Sequence, residues 1–211
     1  MKPSVISTWL VLFSTIEWIQ KVNGAYGNTP LIKAAKNNDV DLVTRLLANG
    51  VDAKATNSFE DTALMLAAMN GAEKMVEILL PVSDAKASND YGITALMYAA
   101  KYGTEKMVKL LLPESDAKAT DDNDYTALMY ATRWGTKEMV ELILPESNAK
   151  ARNDYGWSAL MYAAHWGTEE KIKVLLPKSD PKDRNDYGQT ALDIAKARGS
   201  KKIVRLLQQY N

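Results

Sequence analysis

A seven-residue phrase occurs six times along the chain at a nearly constant interval. It reads TALMYAA where it starts at Thr94, and its copies start at Thr29, Thr62, Thr126, Ser158 and Thr190. The interval of about 32 residues lies in the range that is typical of solenoid repeats. One unit of this length cannot bury its own apolar residues, whereas stacked neighbours can. The sequence therefore predicts a solenoid.

Each unit carries the pattern of two short helices. In the third unit, Thr94 is a good N-cap for the segment ALMYAAKY, and Gly103 is expected to end that helix in the left-handed conformation. Thr104 then caps a second segment, EKMVKLLL, which Pro113 stops because proline cannot donate the next helical hydrogen bond. A polar stretch rich in Asp, SDAKATDDND, follows and predicts turns.

Apolar residues on the second helices are predicted to form the core between units. Leucines recur there at helical spacing, and the pattern predicts burial of Leu111, Leu144 and Leu175 in three successive units.

These residues resemble the ankyrin-repeat family. Its consensus runs D-x-x-G-x-T-P-L-H-x-A-A-x-x-G-H, then an apolar helix, then G-A-D-V-N-A; the first unit reads GNTPL from Gly27 and GVDAKA from Gly50. The resemblance implies an all-α, ankyrin-type solenoid of six helix–turn–helix repeats with short β-hairpin tips, spanning residues 25–211. The repeats are expected at 25–57, 58–89, 90–121, 122–153, 154–185 and 186–211.

Two departures from the family pattern carry structural expectations. The family's histidine after the leucine is absent from every unit, which implies fewer polar links between repeats. The glycine of the tip turn is replaced by Glu60 in the second unit and by Asp124 in the fourth. Because side chains disfavour positive φ, local irregularity is expected at these two turns.

Residues 1–24 differ from the repeats. Lys2 precedes an apolar run at 5–16, which is shorter than the roughly 20 residues that span a bilayer. A basic start, a short apolar run and small residues near Gly24 fit a secretory signal peptide. The alternative is a hydrophobic N-terminal helix that caps the solenoid. The protein is expected to be secreted if the segment is cleaved and cytoplasmic otherwise.

Composition narrows the possible chemistry. The chain has no Cys and one His, so disulfides, thiolate metal sites and a two-His metal site cannot form within it. With 26 basic and 26 acidic residues, its charge indicates neither nucleic acid nor an anionic membrane as partner. No nucleotide loop or zinc spacing occurs in the sequence. We therefore expect no enzymatic activity, cofactor or metal.

The resemblance implies that partners bind to a concave face lined by the tips and the first helices. Two variable positions after the A-A (or A-T) pair point there, and in units three to five they hold a cation or His followed by an aromatic residue. The predicted partner-binding residues at these positions are Lys101, Tyr102, Arg133, Trp134, His165 and Trp166. The tips add Tyr91, Tyr155, Trp157 and Tyr187.

Exposed aromatic residues and Arg dominate the energetics of protein interfaces. The sequence thus predicts a non-enzymatic module that binds a protein partner of unknown identity; the alternative is a structural scaffold or assembly component. A second possibility for the aromatic residues is packing between neighbouring repeats. For Tyr98, Tyr130 and Tyr162, which precede the A-A pair by one residue, core and groove remain equally open.

Overall fold

A computed structural model describes residues 27–210, so the predictions for residues 1–24 lie outside the described part. Within it, twelve α-helices form six consecutive pairs, as predicted. They are α1 Pro30–Lys36, α2 Val40–Ala48, α3 Ala63–Met69, α4 Glu73–Leu79, α5 Ala95–Tyr102, α6 Glu105–Leu111, α7 Ala127–Trp134, α8 Lys137–Ile143, α9 Ala159–Trp166, α10 Glu169–Leu175, α11 Ala191–Ala197 and α12 Lys201–Gln208. Short 3-10 turns follow α4, α6, α8 and α10, at Leu80–Val82, Leu112–Glu114, Leu144–Glu146 and Leu176–Lys178.

Hydroxyl caps start the first helix of every repeat. The Thr94 hydroxyl accepts the backbone N–H of Met97 at 3.3 Å, and the same bond recurs in the other five repeats. Such caps satisfy N–H groups that a helix start leaves unpaired, and each contributes about 1 kcal/mol. The buried alanines that follow allow neighbouring helices to approach closely.

The helices stack in two layers. Each first helix packs on the first helix of the next repeat, and the second helices pack on one another in the same order. Leu111 and Leu175 are fully buried between these layers, as predicted. The prediction for Leu144 is wrong: it opens a 3-10 turn and is only partly buried, while Ile143 takes the core position. One residue along a helix turns the side chain by about 100°, which explains the error.

The prediction for Gly103 is also wrong. Its φ is −90°, so the backbone is extended rather than left-handed. Glycine is needed there for space, since a Cβ would lie 2.8 Å from the carbonyl oxygen of Ala99.

The tips contain only isolated β-bridges within the described residues, such as Ser88 with Thr94. Backbone hydrogen bonds join successive tips: the N–H of Asp90 donates to the Phe59 carbonyl at 3.0 Å, and that of Asp122 donates to Tyr91 at the same distance. Equivalent bonds continue from Asp154 to Asn123 and from Asp186 to Tyr155. The tips therefore form one continuous edge along the stack.

An Asn or Asp at the base of each tip organises the turn. Asn89 is buried, and its Oδ1 accepts the N–H groups of Tyr91 and Ile93 at 3.0 Å. The residues with the same role are Asn57, Asp121, Asn153 and Asn185. This residue recurs once in each of these repeats, so the periodicity of the sequence could have located it.

Polar links between repeats persist without the family's histidine. The Asn89 amide donates to Asp61 of the preceding tip at 2.8 Å. The Tyr162 hydroxyl donates to that of Tyr125 in the preceding repeat at 2.6 Å. Burial, followed by this hydrogen bond, raises the pKa of Tyr162 well above its ordinary value.

The tip turns at Glu60 and Asp124 keep the geometry of the glycine-containing turns. Their φ values are 59° and 60°, against 70° to 73° for Gly92, Gly156 and Gly188. The expected irregularity is therefore absent. The backbone at Glu60 and Asp124 instead adopts the left-handed conformation, which residues with a side chain disfavour.

Glu60→Gly is expected to raise the free energy of unfolding by about 0.5–1 kcal/mol, because relief of the left-handed strain exceeds the added entropy of the unfolded chain. Urea denaturation measures the change. The reverse substitution, Gly92→Ala, is the control and should destabilise, since its Cβ would lie 2.8 Å from Asp121 Cα. Destabilisation by Glu60→Gly would contradict the strain.

Lys171 places a buried amine between the fourth and fifth repeats. It is 8% exposed and occupies the position that Met75, Met107 and Met139 hold in other repeats. Its Nζ donates to the carbonyls of Thr132 at 2.9 Å and Gly135 at 2.7 Å, near the end of α7. Burial lowers the pKa of Lys171 below its ordinary value of 10.5. This junction is therefore more polar than the others.

Lys171→Met is expected to stabilise the protein at pH 7 by about 1–2 kcal/mol, because it removes the desolvation of the ammonium. Since the folded pKa lies below the unfolded one, wild-type stability should rise as pH increases from the folded pKa towards 10.5, and the advantage of the variant should shrink. Urea denaturation at pH 7 and pH 10 tests this, with Lys178→Met as the exposed control. A destabilised variant at pH 7 would mean that the two hydrogen bonds outweigh desolvation.

Candidate protein-binding face

Three aromatic residues end the first helices of the third, fourth and fifth repeats. Tyr102, Trp134 and Trp166 are the last residues of α5, α7 and α9, with 52%, 43% and 47% of their surface exposed. Each ring stacks on a tyrosine four residues earlier. The stacked pairs are Tyr98–Tyr102, Tyr130–Trp134 and Tyr162–Trp166, with ring centroids 6.4, 5.4 and 6.1 Å apart.

The stacked tyrosines belong to the core more than to the groove. Tyr130 and Tyr162 are buried, and Tyr98 is partly buried. The Tyr130 hydroxyl donates to Asp121 Oδ2 at 2.6 Å, which fixes the ring under the tip. The exposed aromatic ring of the third, fourth and fifth repeats therefore packs on a tyrosine that contacts the core.

Cations lie between the exposed rings. Lys101 Nζ is 4.8 Å from the Tyr102 ring centroid and 4.9 Å from that of Trp134. The guanidinium carbon of Arg133 is 4.2 Å from the Trp134 ring and 4.4 Å from the Trp166 ring. These distances allow cation–π attraction on both sides of each cation. Rings and cations therefore alternate across three repeats.

His165 closes this series at its far end. Its ring centroid lies 3.6 Å from that of Trp166, and its side chain is half-buried. Burial, followed by the charges of Arg198 and Arg133, lowers the pKa of His165 below its ordinary value. We refer to Lys101, Tyr102, Arg133, Trp134, His165 and Trp166 together as the ring–cation ladder.

The predicted tip residues separate into two groups. Trp157 is half-buried and lies beside the ladder, with its ring centroid 6.2 Å from that of Trp166. Tyr91, Tyr155 and Tyr187 lie along the tip edge, where they are 54%, 51% and 72% exposed. The tip row also includes Phe59, which sequence reasoning missed although it stands one repeat before Tyr91.

The ladder carries positive charges and the tips carry negative ones. Lys101 and Arg133 supply the positive charge of the ladder, whereas exposed Asp90, Asp122 and Asp154 line the tips. Partial desolvation by the surrounding tip, followed by the neighbouring carboxylates, raises the pKa of Asp154. The face therefore has a basic row beside an acidic one.

Residues 27–210 include no helix long and apolar enough to cross a membrane. The same residues hold no group of His, Asp and Glu side chains placed to bind a metal ion.

Comparisons with known proteins identify the family. The family model for ankyrin repeats matches three times, over residues 8–86, 81–152 and 138–211, so the chain belongs to the ankyrin-repeat family. Its repeats are protein-interaction modules. No match was found among the curated proteins.

A solved structure with the same fold is the Bdellovibrio bacteriovorus immunity protein Bd3460, in complex with the predatory endopeptidase Bd0816. The two chains superpose with a TM-score of 0.74 at 30% sequence identity, and the match covers 86% of this chain and 98% of the other.

Proposed function

We propose that the protein binds its partner through the ring–cation ladder and catalyses no reaction. The supporting observation is the alignment of three half-exposed rings at one position in consecutive repeats, held by the cations between them. Large aromatic residues and Arg are the commonest hot-spot residues of interfaces. Because packing already orders these side chains, binding requires little further ordering. Recognition then needs neither a cofactor nor a metal.

Site-specific photo-crosslinking tests this proposal. A photoreactive amino acid at position 102 is expected to capture a distinct protein in extract of the native source. The matched control places it at Lys109, an exposed residue of α6 in the same repeat. A further probe at Tyr187 samples the tips. Capture at 109 or 187 without capture at 102 would contradict the ladder as the binding site.

A second candidate function is restraint of a peptidase by an immunity-type protein. The similarity to Bd3460, whose length the chain covers almost entirely, favours it. If this function is correct, the partner captured at position 102 has peptidase activity that the wild-type protein suppresses. A captured partner without peptidase activity would exclude this candidate and favour a scaffold role.

Cleavage of residues 1–24 as a signal peptide is a further proposal, and its support is the sequence alone. Mass spectrometry of the protein from its native source is expected to show a mature chain that begins near Ala25 or Tyr26. A chain that retains Met1 and Lys2 would instead favour the N-terminal capping helix.

A further inference from the structure

The two ladder cations have donors without acceptors. Arg133 is half-buried between two tryptophan rings, yet within residues 27–210 it donates no hydrogen bond and joins no ion pair. Lys101, between Tyr102 and Trp134, has none there either. Ring faces attract the positive charge but cannot satisfy five guanidinium donors or three ammonium donors. Both cations therefore remain open to a ligand that supplies oxygen acceptors.

The end of a helix explains part of this arrangement. Lys101 and Arg133 lie in the last turns of α5 and α7, where the helix dipole favours positive charge. Among residues 27–210, some exposed basic residues pair with carboxylates, such as Lys106 with Glu77 at 2.7 Å and Lys137 with Glu141 at 2.8 Å, whereas others, such as Lys86 and Lys118, make no ion pair. The ladder cations differ from the unpaired lysines in that aromatic rings of two repeats hold them in place, which the dipole does not explain.

We propose that the ladder recognises an acidic polypeptide segment whose carboxylates pair with Arg133 and Lys101, while the flanking rings pack on its apolar atoms. The proposal rests on the proposed function and names the chemistry of the partner. A carboxylate can accept two parallel hydrogen bonds from one guanidinium, a charge-assisted pairing stronger than a neutral one. Because the two cations come from adjacent repeats, successive carboxylates of the segment can each meet one.

The tips set the orientation of this segment. Trp157 follows Tyr155 of the tip edge by two residues and contacts Trp166, so the acidic row lies beside the ladder. Exposed Asp90, Asp122 and Asp154 would repel carboxylates placed over the tips. The segment therefore turns its acidic side to the helix ends and a neutral or basic side to the tips. A nucleic acid suits this face less well, since each of its phosphates is negative and some would face the tip carboxylates.

Fluorescence anisotropy with labelled peptides tests the inference on the full chain. The probe is a fluorescein-labelled peptide of alternating Glu and Ala, and its isosteric control alternates Gln and Ala. At about 20 mM salt, where screening is weak, the Glu peptide is expected to bind about tenfold more tightly. The double variant Lys101→Gln and Arg133→Gln should lose this preference.

A matched variant controls for overall charge. Lys86→Gln with Lys118→Gln removes the same charge from two exposed residues outside the ladder, and neither side chain makes an ion pair within residues 27–210. This variant should keep the preference for Glu. Loss of the preference in this variant, or retention in the ladder variant, would overturn the inference. Equal affinity for the Glu and Gln peptides, or no binding of either, would also overturn the inference.

A labelled thymidine oligonucleotide of equal length completes the experiment. Tighter binding of this probe than of the Glu peptide would assign the cations to phosphate and overturn the carboxylate assignment.

The outcomes of the peptide titration can be distinguished from those of the crosslinking. Capture at position 102 without a Glu preference leaves the proposed function standing and removes only the acidic partner. A Glu preference without capture at 102 keeps the anion chemistry and removes the proposed function.

Discussion

Leu111→Ala is expected to lower the free energy of unfolding by about 2–5 kcal/mol, one of the largest effects of any single substitution in this chain. Leu111 ends α6, is fully buried, and packs where second helices of adjacent repeats meet. Truncation loses the transfer free energy of the side chain and leaves a cavity that close-packed neighbours cannot fill. Urea denaturation followed by circular dichroism measures the loss.

Leu144→Ala is the matched control. The same substitution, one repeat later and one residue out of register, falls on a partly buried side chain in a 3-10 turn. Leu144→Ala is expected to lower the free energy of unfolding by about 1 kcal/mol, well below the loss for the fully buried Leu111. Because repeats are coupled to their neighbours, Leu111→Ala should also broaden or split the unfolding transition. Equal losses in the two variants would mean that the burial difference has no energetic consequence.

Replacement of both ladder tryptophans is expected to have the largest effect on binding. Trp134→Ala with Trp166→Ala should weaken partner binding by at least about 100-fold, since two hot-spot residues each contribute about 2 kcal/mol or more. The rings are 43% and 47% exposed, so their removal leaves the buried core intact. Arg133 also loses both rings that hold it, which adds to the loss of affinity. Affinity and stability should therefore respond differently.

A tip variant separates the two rows of the face. Tyr187→Ala removes the most exposed aromatic side chain of the tip row, at 72% exposure, and should leave affinity within about twofold because peripheral contacts contribute little. A loss of affinity as large as that of the double variant would place the centre of the interface at the tips.

The repeat period determines most of the fold. Once a cap, a helix, a turn and a second helix recur at a constant interval, stacking is the only way to bury the apolar residues of each unit. The period also selects the core residue of the fourth repeat, since Ile143 stands 32 residues from both Leu111 and Leu175 and is fully buried as they are. The prediction for Leu144 is wrong because Leu144 lies one residue outside that register, where the α-helix gives way to a 3-10 turn. The prediction for Gly103 is wrong because glycine serves both positive φ and close approach, and only coordinates distinguish them.

The ladder could be predicted only in part. The sequence locates three aromatic residues and their neighbours at equivalent positions, but the insertion of Arg133 between rings of two repeats depends on the distance between the helices. The pairing of Trp157 with Trp166 rather than with the tips has the same origin. The sequence places His165 beside the ladder cations, but its partial burial against two tryptophans, which lowers its pKa, follows only from the packing.

The most direct test of ladder-mediated binding measures affinity and thermal stability on the same samples. The partner captured at position 102 is titrated into the wild-type protein and into the variant with both Trp134→Ala and Trp166→Ala, and each sample is then melted. We expect the Kd to rise by at least about 100-fold while Tm changes by only a few degrees. An unchanged Kd in the folded variant would contradict binding at the ladder, and a steep fall in Tm would show that these tryptophans hold the repeats together instead.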